Sequence, residues 1–282
     1  MKLIRNRAAT HRPVQAYASA PSAEPGRTLE FRVSVPSRSS CTVTVRRFGT
    51  AVPTPAVRFV GEDQPSVKHF EGITWCDWEP SLLLDIPESW PPGLYMARFG
   101  VEAPLLSATT LRGRSAYVPF VVRAPFGAET LVILPFAAYT ARNPWPIDGV
   151  QRAPAVSFDR PFSGNGLPDG FLDDAAFVER LAAITPDADY ATSVDLHSGL
   201  VDPRAYNRVL FRVDEWSSAM VDAVTKAASD GTELALEAVP DASVRFAPSP
   251  DGRPNRVLVR THGCSVDHRP GDGQAQTGPR QQ

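Results

Sequence analysis

Two grammars of hydrophobic and polar positions divide the chain. Through its first ~125 residues, apolar and polar side chains alternate in short runs, as they do on half-buried antiparallel strands. The clearest are residues 28–35 (TLEFRVSV) and 41–48 (CTVTVRRF); residues 81–86, 93–99 and 116–122 read the same way. Turn signals fall between them at Pro25-Gly26, Pro36-Ser37 and Trp90-Pro91-Pro92-Gly93. Short strands with regular turns predict a β-sandwich over residues 1–125. The segment 123–129 (RAPFGAE) carries Pro and Gly and marks the predicted joint.

Beyond it the period changes. Residues 130–136 (TLVILPF) form a continuous apolar run, the mark of a strand buried on both faces. A Pro/Gly/Asn-rich stretch covers 139–170, and residues 171–184 (FLDDAAFVERLAAI) predict a helix with an acidic first turn. Residues 188–195 and 208–213 contain strands, 217–230 a helix closed by Gly231, and 232–239 a further strand. Strands alternating with helices predict a mostly parallel sheet over 126–260. Ligands of such sheets sit beyond the carboxyl ends of the strands. Those ends are expected at Phe136–Tyr139, Val194–His197, Val213–Trp216 and Leu236–Ala238. Residues 261–282 hold few apolar side chains and predict a disordered tail.

Composition narrows the function. Of 282 residues, 43% are hydrophobic and 21% charged, enough to fill two cores, and the net charge of −2 comes with no basic stripe for nucleic acid. No apolar run reaches the ~18 residues that span a membrane, and residues 1–13 lack the apolar centre of a signal peptide, so a cytoplasmic protein is expected. Cys41, Cys76 and Cys264 form no CxxC, so neither a thiolate metal site nor a disulfide framework is implied. Cys41 and Cys76 read as small buried hydrophobes, and Trp75, Trp78 and Trp90 as core or loop braces before stacking platforms. His262, Cys264 and His268 in the tail read as coincidence. No GxSxG elbow and no strand-Gly-Gly-Cys supplies a nucleophile.

Seven segments, in order, resemble one family. They are WPPGLYMARF (90–99), SAYVPFVVR (115–123), LPFAAYTARNPW (134–145), VSFDRPF (156–162), SVDLH (193–197), NRVLFRVDEW (207–216) and VRFAPSPDGRPNRVLVR (244–260). The third is similar to a family segment LPxxTWQAYNxW, the fourth to VSFDRPY and the sixth to YRVLVxxGHDEYW. The chain thus resembles the large (β) subunit family of N,N-dimethylformamidase.

The resemblance implies an immunoglobulin-like β-sandwich followed by an α/β domain like class I glutamine amidotransferases. It implies hydrolysis of a small amide C–N bond at a mononuclear iron held by two tyrosines and one glutamate. It also implies a small subunit or a second copy as partner. Carried over, the tyrosine of QAYN falls on Tyr139, the tyrosine of VSFDRPY on Phe162, and the glutamate of GHDEYW on Glu215, beside Asp214. The histidine of that motif falls on Val213, its glycine on Arg212, and the asparagine of a later Gly-Gly-Asn on Ala238. The expected metal ligands are therefore Tyr139 and Glu215, with Phe162 in the third place, and the expected catalytic acids Glu215 and Asp214. After Arg260 the family continues with sheet and loops, whereas this chain reads as an unrelated tail, suggesting truncation or frameshift.

An amide resists water because its carbonyl is a weak electrophile and its amine a poor leaving group. A cation can polarise the carbonyl or acidify a bound water, and hard oxygen donors suit ferric iron. Phe162 offers no donor atom, Val213 no proton acceptor and Ala238 no hydrogen bond. Iron binding and activity are accordingly expected to be absent or weak. Two other readings stand: a non-catalytic binding protein using the sheet-end crevice, and a non-functional fragment. Each candidate also has a structural reading. Asp214 and Glu215 can serve the following helix N-terminus, Asp159 and Arg160 a loop ion pair, and His197 an exposed turn rather than an acid–base pair with Asp195.

Overall fold

The computed structural model describes residues 14–52, 54, 56–102, 115–123, 127–146, 155–236 and 240–261. Part of the predicted joint (124–126), Ala238, the N-terminal residues 1–13 and the tail from His262, with Cys264 and His268, lie outside the described residues.

Among the described residues the first strands are β1 (Gln15–Ala18), β2 (Ser22–Ala23), β3 (Thr28–Ser34), β4 (Ser39–Arg47), β5 (Val57–Gly61), β6 (Val67–Phe70), β7 (Ile73–Cys76), β8 (Leu82–Asp85), β9 (Gly93–Val101) and β10 (Ser115–Val122). A three-stranded sheet, β1-β3-β8, faces a five-stranded sheet, β2-β10-β9-β4-β5, and β6-β7 forms a separate hairpin. Apart from the β2–β10 pair all these ladders are antiparallel, and the two larger sheets curl round one core like half a barrel. The alternation seen in the sequence has its physical cause here. Leu29, Phe31 and Val33 of β3 and Cys41, Val43 and Val45 of β4 all point into that core, while the residues between them are less buried. Trp75, Trp78 and Trp90 are buried, Trp90 stacking on Tyr95 at 5.0 Å, and Cys41 and Cys76 are buried free thiols.

The C-terminal region contains β11 (Thr130–Leu134), α1 (Phe136–Arg142), β12 (Ala155–Ser157), α2 (Phe171–Ala182), β13 (Asp189–Thr192), α3 (Ser193–His197), β14 (Arg208–Phe211), α4 (Ser218–Ser229), β15 (Glu233–Ala235), β16 (Val244–Ala247) and β17 (Val257–Arg260). An all-parallel sheet runs β13-β11-β14-β15, and β12-β17-β16 makes a small antiparallel sheet beside it. Leu131 and Ile133 of β11 enter one apolar cluster with α4 and β16, while Val132 and Leu134 enter another with α2. This two-sided burial is what made residues 130–134 read as one unbroken apolar run.

That second cluster joins the two regions. Phe48, Leu94 and Val121 of the N-terminal sheets pack with Leu134, Tyr139, Phe171 and Tyr190 of the C-terminal region. Gly166 fastens the loop before α2 to β10: at φ +92 its Cα approaches Tyr117 so closely that a Cβ would lie 2.3 Å from the Tyr117 carbonyl oxygen.

Two strand ends differ from expectation. The run 130–136 is strand only to Leu134; Phe136 begins α1, nearly all of which is buried. Val194–His197 is the short helix α3, because Thr192 and Asp195 form a capping box that turns the chain at once.

Candidate functional site

The parallel sheet places its second strand in chain order beside its first, and its third on the first strand's other side. The switch point of such an order lies between first and third strands, here β11 and β14, beyond their carboxyl ends. The chain leaves β11 through α1 and leaves β14 through Arg212, Val213, Asp214 and Glu215. Arg142, on the last turn of α1, forms an ion pair with Asp214 and so bridges the two exits. Beside it opens a cleft of about 370 Å³ whose lining includes Arg142, Asn143, Phe162, Asn165 and Asp169. Asn143 organises the rim: its side chain donates to the Pro161 carbonyl at 2.9 Å and accepts from the backbone N–H groups of Trp145 and Ser163, each at 3.1 Å.

Tyr139 is not part of this cleft. It is buried in the cluster between the regions, and its hydroxyl donates to Asp174 Oδ2 at 2.5 Å. Asp174 Oδ1 accepts from Arg212 Nε at 2.8 Å. Burial, reinforced by the Asp174 carboxylate, pushes the Tyr139 phenol far above its ordinary range, so its proton is firmly held. Glu215 is half-buried and accepts from Ser243 Oγ at 2.8 Å; Ser243 in turn receives the Trp216 N–H at 3.2 Å, so this carboxylate braces the approach of β16 to α4. Asp214 is exposed on the arm of Arg142, Phe162 borders the cleft with a bare ring, and Val213 packs against the apolar cluster under α4. Tyr139 and Glu215 are thus engaged by separate partners.

The third family-like segment also admits a register without a gap. LPFAAYTARNPW and LPxxTWQAYNxW both hold twelve residues and match at both ends without a gap. In that register the family's tyrosine coincides with Arg142, and its tryptophan with Tyr139. Arg142 borders the cleft with Phe162, and Tyr139 is buried in the core. Equal segment length was the signal available for Arg142. No local pattern pointed to Asp174, whose partners lie 35 and 38 residues away in sequence.

Two further pairs are not formed. Asp159 is buried against Arg253 (2.9 Å) and Arg256, while its neighbour Arg160 donates to backbone carbonyls instead. Asp195 serves the capping box and accepts from Ser22 Oγ at 2.5 Å, whereas His197 bonds Ser217 Oγ through Nδ1 at 2.8 Å and stacks on Phe246 at 3.8 Å. His197 is therefore part-buried, not an exposed turn residue. Burial lowers its basicity, opposed by the Asn255 side chain.

A family model described as N,N-dimethylformamidase beta subunit-like, C-terminal, matches residues 43–280. The chain belongs to this N,N-dimethylformamidase β-subunit-like family. The match runs across the stretch after Arg260, so residues 261–280 are not sequence foreign to the family, as their composition had suggested. Among curated proteins none matches. Two solved structures show weak likeness. One is a cycloisomaltooligosaccharide glucanotransferase from Paenibacillus sp. complexed with cycloisomaltoheptaose, at 9% identity and TM-score 0.25, covering 79% of this chain and 27% of that one. The other is a family 123 glycoside hydrolase from Clostridium perfringens, at 10% identity and TM-score 0.19, covering 85% and 42%. This chain spans less than half the length of either.

The iron implied by the family was tested against the residues present. In the gap-free register the ligand positions hold Arg142, Phe162 and Glu215: a cation, a ring without donor atoms, and a carboxylate already bonded to Ser243. These do not fit a ferric ion, which needs anionic oxygen donors converging on one point. Among the described residues no group of three or more His, Cys, Asp or Glu side chains is placed to hold a metal, and no helix is long and apolar enough to cross a membrane.

Proposed function

We propose that this member keeps the frame of an N,N-dimethylformamidase-type amidohydrolase while its iron-dependent hydrolysis of small amide C–N bonds is impaired or lost. In this reading residues 1–125 are an immunoglobulin-like sandwich and 126–260 a domain like class I glutamine amidotransferases, incomplete in its chemistry. The observation that carries the reading is the Arg142–Asp214 ion pair at the sheet's switch point. A fixed guanidinium there repels a metal cation and occupies the acid beside Glu215.

A second reading, a non-catalytic binding protein, is favoured by the cleft itself. Arg142, Asn143 and Asn165 offer hydrogen-bond donors and acceptors beside the Phe162 ring, a lining suited to a small amide. The deciding experiment incubates purified protein, with and without added iron, with N,N-dimethylformamide and follows formate release, alongside calorimetry with the same amide. No formate above the heat-inactivated control is the expected result. Catalytic formate release that is lost on Glu215→Gln overturns the proposal, and amide-binding heat without turnover favours the second reading.

A further inference from the structure

A second cavity, of about 50 Å³, lies between the N-terminal sheets and the C-terminal region. Phe162 borders both this cavity and the cleft of Arg142, but the charged residues differ. Its walls are mostly apolar, with Ala20, Val118 and Phe136 among them, and two arginines, Arg160 and Arg256, line it.

The charges around it do not balance. Three guanidinium groups, Arg160, Arg253 and Arg256, surround two carboxylates. Asp159 takes Arg256 through both its oxygens and also takes Arg253, which reaches Asp251 as well at 3.0 Å. Arg160, only 7% exposed, has no acidic partner among the described residues. It donates to four carbonyl oxygens: Nε to Ser157 at 3.1 Å, Nη1 to Trp145 at 2.5 Å, and Nη2 to Thr140 at 3.4 Å and Asn143 at 3.0 Å. The Thr140 and Asn143 bonds cap the last turn of α1, and the Trp145 and Ser157 bonds tie the following loop to β12, which is the structural work of Arg160. They leave one Nη1 hydrogen and the whole formal charge unanswered. Arg256 uses Nε and Nη2 on Asp159, and no hydrogen bond of its Nη1 is described. A buried cation without a counter-ion is costly, and a low-dielectric pocket strengthens its attraction for an anion.

Size and lining choose the anion. One water-sized site takes ~10–15 Å³ on this scale, so the cavity itself holds a group of a few heavy atoms. We propose that it binds a short-chain aliphatic monocarboxylate of about acetate to butyrate size, its oxygens on Arg160 and Arg256 and its alkyl end against Val118 and Phe136. The assignment is independent of any amide chemistry in the Arg142 cleft.

Thermal unfolding and titration calorimetry of the full chain, at constant ionic strength, with sodium butyrate, butyramide and sodium chloride, test it. Butyrate should bind saturably and raise the melting temperature, with butyramide at least ten-fold weaker and chloride inert. Arg256→Gln leaves Arg253 on Asp159 and should weaken butyrate at least ten-fold. Ala20→Leu fills the cavity without touching a charge, and should abolish binding even if Arg256→Gln does not fold. An equal response to chloride, or butyrate affinity unchanged in Ala20→Leu, overturns the proposal. So does loss of binding on Arg142→Gln with Ala20→Leu unaffected, which would move the carboxylate to the other cleft.

Discussion

The hydroxyl of Tyr139 donates to Asp174 Oδ2 at 2.5 Å inside an apolar cluster, and Arg212 holds the other oxygen of the same carboxylate at 2.8 Å. The three residues come from α1, α2 and the exit of β14, so one buried carboxylate ties together three elements round the switch point. Tyr139→Phe removes one of Asp174's partners while nearly preserving volume. It should cost roughly 1–3 kcal/mol, the penalty of an under-satisfied buried acceptor, measured by urea unfolding. Its metal content should equal the wild type's. A stability unchanged within error would show that the bond is not worth making.

The apolar cluster that contains Tyr139 also contains Leu94 of β9, fully buried, and Phe171 of α2. Because residues on both sides of the predicted joint share one core, the two regions should melt in a single transition. Leu94→Ala should lower stability by about 2–5 kcal/mol and lower it equally for probes in either region. Two resolved calorimetric transitions, only one of them shifted by Leu94→Ala, would mean that the regions fold separately.

What the sequence disclosed, and what it hid, follows from the range of the forces. The strands around Phe31 and Val43 were legible because one face meets core and the other does not, which writes a period of two into the chain. β11 was legible because both its faces are covered. Helix α1 was not: it is seven residues long and buried almost all round, so it shows no amphipathic period and its apolar start merges with the strand before it. The site was legible only as far as local motifs reach. DEW at 214–216 pointed to the exit of β14, yet Arg142 and Asp214 meet across 72 residues of chain, and Asp159 finds Arg256 across 97. Such pairings are fixed by topology and leave no local trace.

His197 gives the fold a pH dependence. Its Nδ1 is hydrogen-bonded to Ser217 Oγ, which itself caps α4 by accepting from the Met220 N–H, and its ring stacks on Phe246. Protonation would put a second donor against that hydroxyl and a positive charge at the positive end of α4. Burial lowers the folded-state pKa below the ordinary 6.5, so the unfolded chain binds the proton more readily. The stability tied to neutral His197 is therefore complete above about pH 6.5 and is lost as pH falls through the depressed folded value. Urea midpoints measured from pH 8 to pH 5 should decline, and His197→Gln should flatten the part of that decline due to this residue. An unchanged slope in the variant would place the pH sensitivity elsewhere.

Arg142 and Phe162 border one cleft and stand, in the gap-free register, at the two positions where the resemblance implies tyrosine ligands. Wild-type protein from iron-supplemented cells should carry well under one iron per chain, since an arginine and a phenylalanine replace two anionic donors. Phe162→Tyr alone adds one phenol at nearly constant volume but leaves the guanidinium on Asp214, so its gain should be small. Arg142→Tyr with Phe162→Tyr removes the resident cation, frees Asp214 and supplies two phenols at the cleft. The double variant should take up more iron than either single variant and show a tyrosinate-to-iron absorption band. Elemental analysis and visible spectra of the four proteins decide among the outcomes. If Phe162→Tyr alone matches the double variant, the second phenolate comes from Tyr139 and the gapped register is right after all. If the wild type already holds one iron per chain with that band, the loss of metal chemistry is refuted, because no arrangement built on Arg142 would then be keeping the cation out.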